Sequence, residues 1–262
     1  MNANQIQQLG SLLEQSWDQV RPIPPLSESH RLTLEDAYKV QQAFNDLRLQ
    51  RGDRVIGRKI GLTSKAVQSQ LGVDQPDFGN LWQSRYFANF GGRVEVDAAT
   101  FLQPRVEGEL AFLIGRPLRG PHVTPQEVLS ASEAVAYAIE IVDSRIENWR
   151  IKIQDTIADN ASYGGFVLGS WQKGLLEKDL RTLGMVLSKN GQLVAQGTGA
   201  ACLDHPARAV AWLANKLSEF GIALEPGDIV MSGSWIPVRA AAKGDVFVLE
   251  AYGCQPLSLR FA

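Results

Sequence analysis

Glu107 and Glu109 stand two residues apart in Pro104-Arg105-Val106-Glu107-Gly108-Glu109-Leu110-Ala111-Phe112, where an apolar run begins. In an extended chain the period of two points both carboxylates to one face, with Cα atoms about 6.5 Å apart, so that they can converge on one cation. A third acid, Glu140, sits within Ala136-Tyr137-Ala138-Ile139-Glu140-Ile141-Val142, where an unpaired charge is costly and needs a partner. Three Glu oxygens with water suit a hard divalent ion such as Mg²⁺ or Mn²⁺ that keeps positions open for an oxygen-rich substrate; they do not suit a soft metal. The alternative is that Glu107 and Glu109 are solvent-face strand residues and that Glu140 pairs with a nearby arginine such as Arg145, since an ExE spacing alone is common.

Three further groups carry polar chemistry. Gly57-Arg58-Lys59-Ile60-Gly61-Leu62-Thr63-Ser64 sets a lysine among glycines, where backbone can approach a ligand and an ammonium can meet a carboxylate. Gln75-Pro76-Asp77-Phe78-Gly79 reads as a turn bearing an acid, and Asp159-Asn160-Ala161-Ser162-Tyr163-Gly164-Gly165 as a polar loop before an apolar strand. An exposed lysine, an Asx-type turn and a connecting loop are the plain alternatives for these three. His30, His122 and His205 are scattered, with no Ser or Cys nucleophile motif beside them, which gives no support to a hydrolytic triad.

The elements that must hold these groups follow from periodicity. Ile6, Leu9, Leu13, Trp17 and Val20 predict a helix that stops at the prolines of 22–25, and Thr33 with Asp36 has the spacing of a capping box opening a second helix that ends by Gly52. From about residue 54 short β-like runs take over: 109–114, 135–142, 185–195, 228–232 and 245–251. Lys189-Asn190-Gly191-Gln192 marks a hairpin with a type I′ turn, and Ala209, Val210, Leu213 and Leu217 mark a helix on the sheet ending at Gly221. Neither βαβ alternation nor a GxGxxG or GxxxxGK[ST] loop is present, which disfavours a nucleotide-binding fold. The fold class is α+β.

With 262 residues, 45% of them apolar, the chain can bury a large core, and 26 Lys and Arg against 28 Asp and Glu leave no basic excess for nucleic acid. Cys202 and Cys254 lack metal or redox spacing and read as small buried hydrophobes. The polar first ten residues carry no leader pattern, and no stretch is apolar enough to span a bilayer, so a cytoplasmic protein without membrane partners is expected.

Taken together, the segment 54–68, the turn 72–79, Glu107 with Glu109, the run 140–145 and the stretch 149–162 resemble the hydratases of aromatic meta-cleavage pathways, in the hydratase/decarboxylase group of the fumarylacetoacetate hydrolase superfamily. The resemblance runs from the second helix nearly to the C-terminus. It implies a helical N-terminal part, 1–80, followed by a fumarylacetoacetase-like mixed β-roll, 81–262, and a homo-oligomer with a Mg²⁺ or Mn²⁺ site. By position, Glu107, Glu109 and Glu140 match the metal ligands, Lys59 and Asp77 match polar groups of the substrate pocket, and Ser162 and Ser234 match hydroxyls near the substrate. The implied reaction adds water to 2-hydroxypenta-2,4-dienoate (2-oxopent-4-enoate) to give 4-hydroxy-2-oxopentanoate. In it Lys59 anchors a carboxylate and Asp77 transfers a proton or orients water, with these roles exchangeable.

The resemblance also implies a small-molecule 2-hydroxydienoate or 2-oxoenoate partner and an association with 4-oxalocrotonate decarboxylase. That decarboxylase activity is the competing reading, and a non-catalytic partner subunit is a second one. Gly108 between the glutamates favours the hydratases, since decarboxylases more often carry Ala there. Arg58, beside Lys59, is expected to tune which substrate tail is accepted. Gly253-Cys254-Gln255-Pro256 replaces the Gly-x-Gly-Ser of relatives, so a different terminal turn is expected.

Overall fold

The computed structural model describes residues 1–65, 68–69 and 73–262. Ala66, Val67 and Gly72 of the segments singled out above lie outside the described residues. Three helices come first: α1 (Ala3–Gln19), the single turn α2 (Leu26–Ser29) and α3 (Leu34–Gln50). Capping boxes start both long ones, Asn2 with Gln5 and Thr33 with Asp36. Gly10 lets α1 and α3 touch closely, for a Cβ there would fall 2.8 Å from Ala43 Cβ. Gln41 of α3 then ties the helices to the rest, its amide donating at 2.8 Å to both the Phe78 and the Ile157 carbonyl.

Among the described residues twelve strands follow, in two sheets. The larger contains β1 (Val55–Gly61), β2 (Asp77–Trp82), β4 (Arg105–Ile114), β5 (Ser132–Val142), β6 (Tyr163–Leu168) and β9 (Ile229–Met231), in the order β2-β1-β9-β4-β5-β6, with β10 (Arg239–Ala240) beside β4. The smaller has the order β3-β12-β11-β7-β8, from β3 (Arg93–Val96), β7 (Gly184–Lys189), β8 (Gln192–Thr198), β11 (Val246–Ala251) and β12 (Leu257–Phe261). Later in the chain come helices α4 (Pro125–Ala131), α5 (Ile153–Ala158) and α6 (Pro206–Ser218). Within the stretch 1–80, residues after Gln50 supply β1 and β2 to the large sheet.

The large sheet curls. Lys59 on β1 meets Glu140 on β5 at 3.1 Å, although three strand spacings separate them, roughly 14 Å on a flat sheet. The outermost strands, β2 and β6, also come into contact, giving a half-barrel with one inward face. The outward face of β4 packs on the second sheet: at Gly108 an added Cβ would lie 2.7 Å from Met185 Sδ and 3.0 Å from Leu249 Cδ1. The five expected strand runs and the α6 stripe all appear, and Asn190 and Gly191 take φ of 53° and 81° as a type I′ turn requires. Two expectations need correcting. Asp77 opens strand β2 instead of sitting in a turn, because it pairs with Gly61 across the β1–β2 ladder. Cys254 is only half-buried, because it lies in the turn after β11, whereas Cys202 is buried. Among the described residues no helix is long and apolar enough to cross a membrane.

Candidate active site

The inward face of the half-barrel collects the acids. Register places Glu107 directly opposite Glu140 in the antiparallel β4–β5 pair, and Glu109 opposite Ala138, whose small side chain leaves space beside it. One carboxylate oxygen from each of Glu107, Glu109 and Glu140 lies within 4.8 Å of the others. Glu109 and Glu140 are fully buried, and Glu107 partly so. Backbone helps to fix the cluster: Gly233 N, in the segment after β9, donates to Glu109 Oε2 at 2.8 Å. Gly233 has φ of +105°, and a Cβ there would collide with Thr63, so glycine is required.

Lys59 is the cation of this cluster. Its ammonium lies 3.1 Å from Glu140 Oε1 and donates to the Ala161 carbonyl at 2.9 Å. This overturns the pairing of Glu140 with Arg145, whose guanidinium instead binds Asp159. Asp77 shares the inward face, two register positions along from Lys59. Gly61 makes room for it, since a Cβ at that position would lie 2.2 Å from Asp77 Oδ1 and 3.5 Å from Lys59 Nζ. Arg58 does not join them. As the next residue on the strand it points to the outer face, where it lines a groove with Tyr38, Phe78 and Lys216, so the expectation that it tunes a substrate tail beside Lys59 is overturned.

Charge is out of balance here. Burial, then repulsion from Glu140, pushes the Glu107 carboxyl up to about 7. Burial and repulsion from Glu140 and Glu107 drive Glu109 well above the usual carboxylate range. Burial raises Glu140 as well, with Lys59 pulling against it. Burial opposes the Lys59 charge, but Glu140, Asp77, Glu107 and Glu109 together outweigh it and raise its pKa. Asp77 is raised by burial, against the pull of Lys59 and hydrogen bonds with the Thr156 side chain and the Gly61 backbone. Among the described residues, Glu109 Oε1, Asp77 Oδ1 and both Glu140 oxygens are buried without a hydrogen-bond donor; the Lys59–Glu140 approach is an ion-pair distance without hydrogen-bond geometry. An excess of buried, donor-less carboxylate oxygens around one point fits a hard divalent cation.

The third wall is the turn Asn160–Ser162, whose residues have φ of 51°, 52° and 52°. Left-handed backbone costs about 1 kcal/mol or more at Ala161 and Ser162, less at Asn160. Outside contacts hold it. Asn160 accepts from Asn80 N at 2.7 Å and donates to Asn80 O at 3.0 Å, closing over the edge strand β2, where Gly79 has no Cβ to block the approach. Ser162 Oγ is buried and has no hydrogen-bond partner among the described residues. Ser234 Oγ, by contrast, donates to Ile236 O at 2.8 Å and so serves its own turn.

Lys59, Asp77 and the three glutamates therefore gather on one face, with the turn carrying Ser162 held against Lys59. Sequence reading missed the Ala161 carbonyl, Gly233 N and the Arg145–Asp159 pair. Backbone groups leave no mark in side-chain spacing; Gly233, between two serines after an apolar run, was the one available sign.

The profile of the family described as fumarylacetoacetate (FAA) hydrolase C-terminal matches residues 54–261. The chain is 47% identical over 257 residues to the 2-hydroxyhexa-2,4-dienoate hydratase of Comamonas testosteroni, covering 98% of this chain and 97% of that protein. It is 49% identical over 224 residues to the 2-hydroxypent-2,4-dienoate hydratase of Pseudomonas putida, covering 85% of this chain and all (100%) of that one. Among solved structures, the 4-oxalocrotonate decarboxylase from Pseudomonas putida G7, complexed with magnesium and adipate, superposes with a TM-score of 0.95 at 34% identity, covering 100% of this chain and 99% of that one.

Proposed function

We propose, on the premise that this chain belongs to the fumarylacetoacetate hydrolase family, that it is a metal-dependent hydro-lyase of aromatic meta-cleavage catabolism. It adds water to 2-hydroxypenta-2,4-dienoate and releases 4-hydroxy-2-oxopentanoate. The observation that carries the reading is the buried cluster of three glutamates with the Lys59 ammonium 3.1 Å from Glu140. The hydratase relatives named above share the 2-hydroxy-2,4-dienoate head and differ in the length of its tail.

Glu107, Glu109 and Glu140 would hold a divalent ion, Mg²⁺ or Mn²⁺, which supplies Lewis-acid stabilisation of the negative charge developing on the substrate's C2 oxygen. Lys59 attracts the substrate carboxylate and stays in place because the Ala161 carbonyl and Glu140 fix its ammonium. Its contacts with the Ala161 carbonyl and Glu140 suit Lys59 to charge stabilisation rather than to proton transfer. Proton transfer is assigned to Asp77, whose carboxyl is pushed above its ordinary range by burial and whose Oδ1 has no hydrogen-bond partner among the described residues. Moving the enol proton to C5 gives a conjugated 2-oxo-3-enoate. Water then adds at C4, and its second proton goes to C3, which balances the overall gain of one water. Of the two serines, Ser162 has the free hydroxyl and is assigned to the substrate; Ser234 supports the turn next to Glu109.

Mixing the protein and Mg²⁺ with freshly made 2-hydroxypenta-2,4-dienoate, with and without a chelator, tests the reading. Metal-dependent loss of dienol absorbance, with 4-hydroxy-2-oxopentanoate identified by NMR, is the expected result. The decarboxylase has its own support in the TM-score of 0.95. Release of CO₂ from 4-oxalocrotonate, with no hydration of the dienoate, would establish it instead. The reading also carries a cytoplasmic location, a homo-oligomer, and a complex with 4-oxalocrotonate decarboxylase, the last two open to size-exclusion chromatography alone and with that enzyme.

A further inference from the structure

We infer that Arg145 and Asn160 are positioning residues for this reaction. Together they hold the turn Asn160–Ser162 left-handed, so that the Ala161 carbonyl fixes Lys59 Nζ and the Ser162 hydroxyl stays free; the inference rests on the hydratase reading. Three successive left-handed residues, none of them glycine, relax unless something outside the turn prevents it. Arg145 grips the turn at both ends. Its Nε binds the Asp159 carboxylate, one terminal nitrogen donates to Asp159 O at 2.5 Å, and the other donates to Tyr163 O at 2.6 Å. Asp159 and Tyr163 are the residues immediately before and after the turn.

The Arg145 backbone N and the Ser144 hydroxyl complete the grip by donating to the other Asp159 oxygen, at 3.0 and 3.2 Å. Asn160 fastens the turn sideways to Asn80, on the strand that begins with Asp77. Arg145 is 1% exposed, and the Trp17 ring covers its guanidinium at 4.6 Å, so the first helix closes the clamp from outside. A lysine keeps the charge but has no planar fork with which to reach both ends at once.

The test is steady-state kinetics of the full chain loaded with Mn²⁺, for R145K, N160D and the double variant R145K/A161G, with the Mn²⁺ dissociation constant measured by electron paramagnetic resonance. R145K is expected to lose at least about tenfold in kcat/KM and N160D several-fold, with Mn²⁺ affinity within about threefold, because the three glutamates hang on β4 and β5. A161G should return part of the R145K loss, since glycine takes the left-handed conformation at no steric cost. A residue that only stabilises the fold would lower the melting temperature without changing kcat/KM of the folded enzyme, and A161G would rescue nothing.

Values of kcat/KM within twofold of wild type, Mn²⁺ affinity falling in step with activity, or no recovery in the double variant would each overturn the inference. If R145K does not fold, N160D decides alone by the same criteria. Ratios are read on 4-oxalocrotonate if the wild type turns over only that substrate. A wild type inactive on both refutes the hydratase reading itself, and amide exchange of 159–163 relative to β4 then decides the clamp. Faster exchange in N160D supports it, and unchanged exchange overturns it.

Discussion

Gly61→Ala puts one methyl group against the proposed proton carrier. Its Cβ would lie 2.2 Å from Asp77 Oδ1, whereas ordinary contact begins near 3.4 Å, so the carboxylate must retreat by about 1 Å. It has little room for this, being 2% exposed. A displacement of about 1 Å at a reacting group costs on the order of 10²-fold in rate, or about 2.7 kcal/mol of barrier. The glutamates are not touched, so metal binding should stay within a few-fold of wild type. The assay is kcat on 2-hydroxypenta-2,4-dienoate at saturating Mg²⁺, with the folded fraction taken from Mn²⁺ binding. A kcat within threefold of wild type, in a protein that binds Mn²⁺ normally, would refute the assignment of proton transfer to Asp77.

Glu109→Gln should uncouple stability from metal binding. Without metal it relieves a buried carboxylate repelled by Glu140 and Glu107, so the metal-free melting temperature should hold or rise, while calorimetry should show Mg²⁺ affinity falling at least about tenfold. Metal affinity should also depend on pH. Glu107 is pushed up to about 7 in the metal-free protein and must lose its proton to act as a ligand, so the dissociation constant should fall as pH rises through that value, with proton release visible as a buffer-dependent enthalpy. Flat affinity between pH 6 and 8 would contradict the burial argument. Gly108→Ala places a methyl 2.7 Å from Met185 Sδ, 2.9 Å from Ile236 Cδ1 and 3.0 Å from Leu249 Cδ1, so chemical denaturation should show a loss of about 1–3 kcal/mol. Because that Cβ points away from the glutamates, the Gly or Ala between them would act on chemistry only by shifting one sheet against the other.

Local signals account for what the sequence revealed. The capping box at Thr33, the Asn190-Gly191 turn and the α6 stripe each involve residues within a few positions of one another, and each appears as expected. The period of two placed Glu107 and Glu109 on one face for the same reason. What joined them to Glu140 was the register of β4 on β5, and what joined Glu140 to Lys59 was the curl of a six-strand path, which no local spacing encodes. Nearness in sequence misleads for two arginines. Arg145 is near Glu140 in sequence and Arg58 is next to Lys59, yet Arg145 turns to Asp159 and Arg58 leaves by the outer face. The turn Asn160–Ser162 was least legible, because its conformation contradicts local preference at Ala161 and is imposed by Arg145 and Asn80 from elsewhere in the chain. A segment held against its own preference beside a fixed ammonium and a free hydroxyl is where strain serves position, and the site is therefore more sensitive to its clamp than to the identity of Ala161 itself.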